Sequence, residues 1–197
     1  MSDEIPIWLE PVALAQWPTQ IVESQALRYR LALRQGWNAT PQVNRLPTHV
    51  EHIFRGVYPS ESLMVSFMEN AEPAADLRNW IEAIMGLAGF PLVAMVPANN
   101  DEGRPELLEW QYQGSPAALA ERLEVDEIQL YQGLGKLTTR PPELARLYVL
   151  LARRETWAWN ISLSFISACP PGAPEATVIK NDHVRAGATF GPLCLLK

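Results

Sequence analysis

The sequence predicts an α+β fold: an antiparallel β-sheet flanked by helices, arranged like an α/β/α sandwich. Three observations carry that expectation. Segments of period-two alternation, such as Leu27, Tyr29, Leu31 and Leu33, recur along the chain and read as half-buried strands. One long stretch, Pro73 to Gly89, shows instead the i, i+3, i+4, i+7 spacing of an amphipathic helix. Strands and helices are segregated along the chain rather than alternating as βαβ units, which favours an antiparallel sheet with helices packed on it.

Taken in order, residues 1–24 are rich in proline and tryptophan (Pro6, Pro11, Pro18, Trp8, Trp17) and read as an irregular arm docking on the domain. Residues 25–197 then form a single α+β domain. Its first strand is "LRYRLALRQGW", closed by Gly36 and followed by Trp37. "NATPQVNRLPTHVEH" reads as loop because Pro41 and Pro47 interrupt it. "SLMVSFMEN" is apolar on both sides, as a central strand would be. The long helix follows, with Leu77, Trp80, Ile81, Ile84, Met85 and Ala88 on one face and Gly89 as its stop. A strand, an acidic turn over Asn99 to Gly103 and a further strand reach Gly114. Ser115 and Pro116 start a short helix through Leu123. "VDEIQLYQG" alternates again, "TTRPPELA" is a break, and "ARLYVLLA" with "RETWAWNISLSF" forms a long apolar hairpin. On its return limb Trp157, Trp159, Ile161, Leu163 and Phe165 share one face. Ala158, Asn160, Ser162 and Ser164 share the other, a small and wettable one. A terminal helix starts at Asn181 as its N-cap.

Composition narrows the function. The chain has 197 residues, 48% hydrophobic and 19% charged, within the range of one globular domain. A net charge of −6 opposes binding to nucleic acid or to anionic membrane surfaces, both of which need clustered Lys and Arg. The start "MSDEIPIWLEPVALAQWP" has no basic region followed by an apolar core, and no window is apolar enough for membrane insertion, so a cytoplasmic location is expected. Cys169 and Cys194 read as reduced, packed thiols.

The chemical motifs are weak. His49 and His52 in "THVEH" would converge on a metal if helical, but the zinc-protease spacing is His-Glu-x-x-His, and Pro47 and Gly56 oppose a helix; no metal is expected. "YQGLGKLT" lacks the first glycine and the Ser or Thr of a phosphate loop and reads as a tight turn after a strand. Asp101–Glu102 and Asp126–Glu127 read as solvated surface. "NDHVR" gathers Asp182, His183 and Arg185, read mainly as a helix cap with a charge pair. No catalytic residue and no cofactor are assigned. Were the chain an enzyme, a small hydrolase or transferase, His183 with a neighbouring acid or thiol would be the centre.

Seven tryptophans exceed what a small core packs comfortably, and tryptophan favours protein interfaces. Trp157, Trp159, Asn160, Ser162 and Ser164 are therefore the candidate partner-binding residues. The expected partner is a protein, through an apolar segment or helix. A structural subunit of an assembly, or a homodimer, is the other reading of the same tryptophans.

The layout resembles the Mog1/PsbP-like α/β sandwich family, over about Leu27 to Leu196. "RYRLALRQGW", "LMVSFMEN", "DLRNWIEAIMGLAG" and "ARLYVLLARRETWAWNISLSF" stand where that family has its early strand, second strand, long helix and late hairpin. The arm before Leu27 and the helix over Pro116 to Leu123 depart from it. The resemblance implies a non-enzymatic protein-binding module. One bacterial branch, chaperones of type VI secretion effectors, would use the hairpin face to shield an apolar segment.

Overall fold

The computed structural model describes residues 6–9, 19–56, 61–69, 105–137, 143–168, 172 and 174–197. A short 3-10 turn, Ile7–Leu9, precedes strands β1 (Thr19–Ser24), β2 (Tyr29–Arg34), β3 (Gln42–Arg45), β4 (Val50–Arg55) and β5 (Ser62–Met68). Then come β6 (Pro105–Gly114), helix α1 (Ala117–Leu123), β7 (Glu127–Leu137), β8 (Glu143–Arg154), β9 (Trp157–Ala168), helix α2 (Glu175–Phe190) and β10 (Cys194–Leu195). They form a seven-stranded sheet in the order β3-β4-β5-β9-β8-β7-β6 and a three-stranded sheet in the order β1-β2-β10. Every pairing is antiparallel. The α+β expectation is met.

The long hairpin β8–β9 is the centre of the large sheet, and its pattern shows why. Glu155 turns the chain at φ 52°, the backbone N–H of Glu155 donates to Asp126 Oδ2 (2.7 Å), and Arg154 pairs with Trp157 across the turn. From there the register sets Trp159 opposite Ala152, Ile161 opposite Leu150 and Leu163 opposite Tyr148. On the next strand, Phe67, Val65 and Leu63 of β5 continue the same rows. This face, together with Tyr29, Leu31 and Leu33 of β2, Leu119 and Leu123 of α1, and Ala186 and Phe190 of α2, makes one continuous core. The small sheet and α2 thus cover the Trp159 face of the large sheet.

Several elements differ from the sequence reading. Residues 19–24, read as part of an irregular arm, pair with β2 as β1. Trp8 and Leu9 are buried, Trp8 lying 5.1 Å from the rings of both Tyr148 and Phe190. "PQVNRL" and "THVEH" were read as loop, yet they supply β3 and β4; the prolines stand just outside β3, where they cost no ladder bond. Gly135 and Lys136 lie inside β7 rather than in a turn. Asn181 is not the start of α2: the helix begins six residues earlier behind Pro174, with Glu175 in its first turn. In α1, Pro116 holds the cap position without a side-chain hydrogen bond. The amphipathic stretch Pro73 to Gly89 and Cys169 lie outside the described residues.

Candidate functional site

The sequence placed the partner-binding residues on the return limb of the hairpin, and the structure resolves that limb closely. Trp159 is 0% exposed, its Nε1 donates to the carbonyl of Leu27 (2.9 Å), and its ring meets Phe67 at 5.4 Å. Trp157 is half-buried, with the Arg28 guanidinium 3.9 Å above its ring. The opposite face was expected to be wettable and is not: Asn160, Ser162 and Ser164 are all buried. Their neighbours on that face, Leu147, Val149, Leu151 and Ser66, are buried as well. Both faces of this strand are buried, and its small polar residues bond to one another. Ser162 Oγ donates to Asn160 Oδ1 (2.7 Å), and Ser164 Oγ lies 3.0 Å from Ser62 Oγ.

Among the described residues the large apolar side chains left exposed are elsewhere: Val43 and Leu46 at β3, Ile21 on β1 and Tyr112 on β6. β3 ends the strand order of the large sheet, and the hairpin to β4 is closed by the Leu46 N–H donating to the His49 carbonyl (2.9 Å).

The second notable constellation is polar and buried. β8 presents Arg146 and Tyr148 on its core-facing side, in the same rows as Phe165 and Leu163 of β9 and as Leu134 and Gln132 of β7. One helical turn of α2 then lays Asp182, His183 and Arg185 over them. Ser167 Oγ donates to Asp182 Oδ1 (2.8 Å), and Arg185 Nη1 donates to Ser167 Oγ (3.3 Å). The carboxylate of Asp182 has Arg185 Nη1 at 3.6 Å and Arg146 Nε at 3.8 Å. Arg185 also pairs through Nη2 with Glu61 Oε1, which accepts a hydrogen bond from Arg34 Nη2 (2.7 Å). Gly56 allows this: a Cβ there would come within 2.5 Å of Glu61 Cβ and Oε2. Burial raises the Asp182 carboxyl above its ordinary range, opposed by the Ser167 hydrogen bond and the two arginines. Burial, with Arg146 nearby, pulls His183 below its ordinary value.

This geometry bears on the enzymatic reading. His183 Nε2 lies 3.2 Å from Gln132 Nε2, and its ring stands edge-on to Tyr148 at 5.8 Å. Ser167 is bonded directly to Asp182, so Ser167, His183 and Asp182 do not form a relay in which the imidazole contacts the hydroxyl. Cys194 belongs to the far end, its Sγ 3.6 Å from Arg30 Nη2.

The other flagged pairs resolve as structure. His52 lies on β4, whereas His49 lies just before it in the β3–β4 connection, so the two do not share a helix face. His52 Nδ1 lies 2.8 Å from Tyr29 OH, whereas His49 Nε2 lies 3.2 Å from Glu51 Oε1. No cluster of metal-ligating side chains is found among the described residues. Glu127 pairs with Arg153 at 3.3 Å. Sequence reading overlooked Arg146 because it sits in the apolar run "ARLYVLLARR". The available signal was parity, since Arg146 shares its face with Tyr148 and Leu150 and so points into the core.

Comparison with known proteins adds little. No family model and no curated protein matches the chain. Among solved structures, a mutant of protein Mog1 is 14% identical, with 86% of this chain and 87% of that one covered and a TM-score of 0.41. The Ran-binding protein Mog1p of Saccharomyces cerevisiae is 14% identical over 87% of each chain, with a TM-score of 0.43. Likenesses this distant carry no argument about activity or partner, and the α+β assignment stands on the strand order itself. No described helix is long and apolar enough to cross a membrane.

Proposed function

We propose that the chain is a non-enzymatic, cytoplasmic protein-binding module that receives an apolar segment of a partner at the rim of its large sheet. The observation that carries this is the β3 edge. Val43 and Leu46 are 47% and 45% exposed, and β3 pairs with β4 on one side and with no other strand among the described residues. An extended segment adding to such an edge gains main-chain hydrogen bonds, and its apolar side chains cover Val43 and Leu46. Pro41 and Pro47 bracket the edge, a device that limits indiscriminate pairing. Of the hairpin residues, Trp157 keeps accessible surface for a partner. Trp159, Asn160, Ser162 and Ser164 would support binding from inside the sheet. A chaperone or adaptor role toward a secreted effector is the finer reading, and it rests on sequence layout alone.

The test compares tagged wild type with a Val43→Glu, Leu46→Glu variant, both substitutions being at exposed positions. The proteins are purified from the native cytoplasm, with folding checked by circular dichroism. One protein co-purifying near stoichiometry with wild type, and lost from the folded variant, is the expected result, and its identity decides whether it is an exported effector. Equal recovery with both forms would move the surface away from β3. No partner with either would remove the binding reading.

A further inference from the structure

Few main-chain groups of the β3 edge face outward, and which ones do is fixed by the hairpin. The Leu46 N–H donates to the His49 carbonyl (2.9 Å), which sets the phase of the β3–β4 ladder. Counting back in twos from that bonded pair, Asn44 with Glu51 and Gln42 with Ile53 exchange hydrogen bonds. Val43 and Arg45 face His52 and Val50 without exchanging any. The far side of β4 agrees. There the Gly56 N–H donates to the Glu61 carbonyl, so Phe54, His52 and Val50 turn their main-chain groups toward β5. The N–H and C=O of Val43 and Arg45 therefore point away from β4, to the open side of the sheet. Pro41 and Pro47, two residues to either side, carry no N–H. Between the prolines, the edge offers an incoming strand the donors of Val43 and Arg45 alone.

The side chains of these two residues also share one face, by alternation. Val43 is 47% exposed; Arg45 is exposed as well and forms no ion pair among the described residues. β3 and β4 hold a single acid, Glu51, and it lies on the opposite face. There it stands in register with Asn44, whose Nδ2 donates to Glu51 Oε2 (3.2 Å). An apolar position and an unpaired cation, two residues apart, thus mark the face that a partner strand would meet.

These constraints select the occupant. A second copy of the chain fits poorly. In two-fold antiparallel pairing of β3 with itself, Val43 meets Val43, or Val43 meets Arg45, or Arg45 meets Arg45. None sets a carboxylate against the guanidinium, and the last opposes like charges. A uniformly acidic partner is disfavoured by the net charge of −6, so the match is one carboxylate at one position.

Resting on the reading of β3 as the docking edge, we propose that its occupant is an extended segment of another protein, antiparallel to β3, with an acidic residue two positions before a β-branched one. The acidic residue lies opposite Arg45 and the valine or isoleucine opposite Val43. Each exchanges both main-chain hydrogen bonds with the residue it faces. Antiparallel pairing is the more stable per residue, and in that direction the acid comes first.

The experiment selects a displayed library of short random peptides on the immobilised full chain, with the Val43→Glu, Leu46→Glu variant for counter-selection. Enriched peptides should share Asp or Glu two positions before Val or Ile. For such a peptide, Arg45→Gln should weaken binding by about fivefold, the upper end for a cross-strand charge pair. N-methylation of the peptide residue facing Val43 should abolish binding, because that N–H donates to the Val43 carbonyl. Arg45→Glu, at an exposed position, should select Lys or Arg in place of the acid. Peptides that are lost with Val43→Glu, Leu46→Glu but show no acidic preference, or tolerate Arg45→Gln or the N-methyl group, overturn this inference and leave the docking edge standing. No enrichment of wild type over that variant removes the edge itself, and this inference with it. A chain that sediments as a dimer, and as a monomer after Val43→Glu, Leu46→Glu, would assign the edge to a second copy and overturn the proposal.

Discussion

Two arginines on the core-facing side of the same strand, Arg154 and Arg146, meet opposite fates. Arg154 stands at the open end of β8 and spends its donors on main-chain carbonyls. Nε donates to Glu124 (2.6 Å), Nη1 to Leu196 (2.9 Å), and Nη2 to both Leu123 (2.7 Å) and Leu195 (3.1 Å). It closes the end of α1, where the last carbonyls have no helical partner, and pins the strand β10 to the hairpin tip. Arg146 lies eight residues earlier, is almost fully buried, and among the described residues reaches one carboxylate, Asp182, at 3.8 Å. The contrast separates a cation whose donors reach main-chain carbonyls from one whose charge is met, among the described residues, by a single buried ion pair. A buried ion pair of this kind is weak evidence for stability, because desolvation offsets the attraction.

The comparison can be broken by substitution. The largest effect is expected away from both arginines, at Trp159→Ala, which empties a fully buried site. It should lower stability by about 3–5 kcal/mol in denaturant titration, and a loss below about 1 kcal/mol would mean the Trp159 face is not core. Arg154→Ala should cost about 2 kcal/mol, discounted because the side chain is partly exposed, and lysine should restore little since it lacks the fork. Gly56→Ala forces a Cβ against Glu61 and should cost roughly 1–3 kcal/mol by overpacking, read as a lowered unfolding midpoint. Arg146→Met should change stability by less than about 1 kcal/mol. Asp182 keeps Ser167 and Arg185, and an apolar side chain suits the site. If Arg146→Met proved as damaging as Arg154→Ala, the distinction between the two arginines would collapse.

The smallest effect is in pH. His183 and His52 both have lowered values in the folded state, chiefly through burial, with Arg146 and Arg45 as secondary causes. The unfolded chain therefore binds more protons, so their contribution is present above the ordinary histidine value of about 6.5 and is lost as pH falls through it. Asp182 has the opposite sign: its raised value favours the protonated form, a contribution lost as pH rises through the carboxylate range. Unfolding midpoints measured across the histidine range, from about pH 7.5 to 5, should decline, and His183→Gln should flatten part of the slope. An unchanged slope in both His183→Gln and His52→Gln would assign the decline to other groups.

Legibility in the sequence followed from how local each cause is. The strands β2, β5, β7 and the β8–β9 hairpin could be read because period-two alternation records which side of a strand is inside. β3 and β4 were missed because their burial is partial, Gln42 to Arg45 being mostly exposed, and because prolines beside a strand look like prolines within a loop. The start of α2 was missed because "PPGAPEATVIK" begins with turn residues and the helix buries mainly its second half. The hairpin's apolar face was read correctly as one face, but its surroundings were not. A strand's own residues do not say whether its second face is covered, and the covering of that face is what put Asn160, Ser162 and Ser164 inside.

The sequence by itself determined the α+β class, the parity of the long hairpin and the acidic character that opposes a nucleic-acid partner, because each is a property of composition or of neighbours within a few residues. Tertiary structure alone decided the strand order, the burial of both faces of β9, the exposed β3 edge, and the meeting of Arg146, Tyr148, Asp182 and Trp8. Those residues are separated by up to the greater part of the chain. Only the closure of the small sheet and α2 over the large sheet brings their charges into one low-dielectric interior, where an unpaired group acquires a consequence it would not have in water.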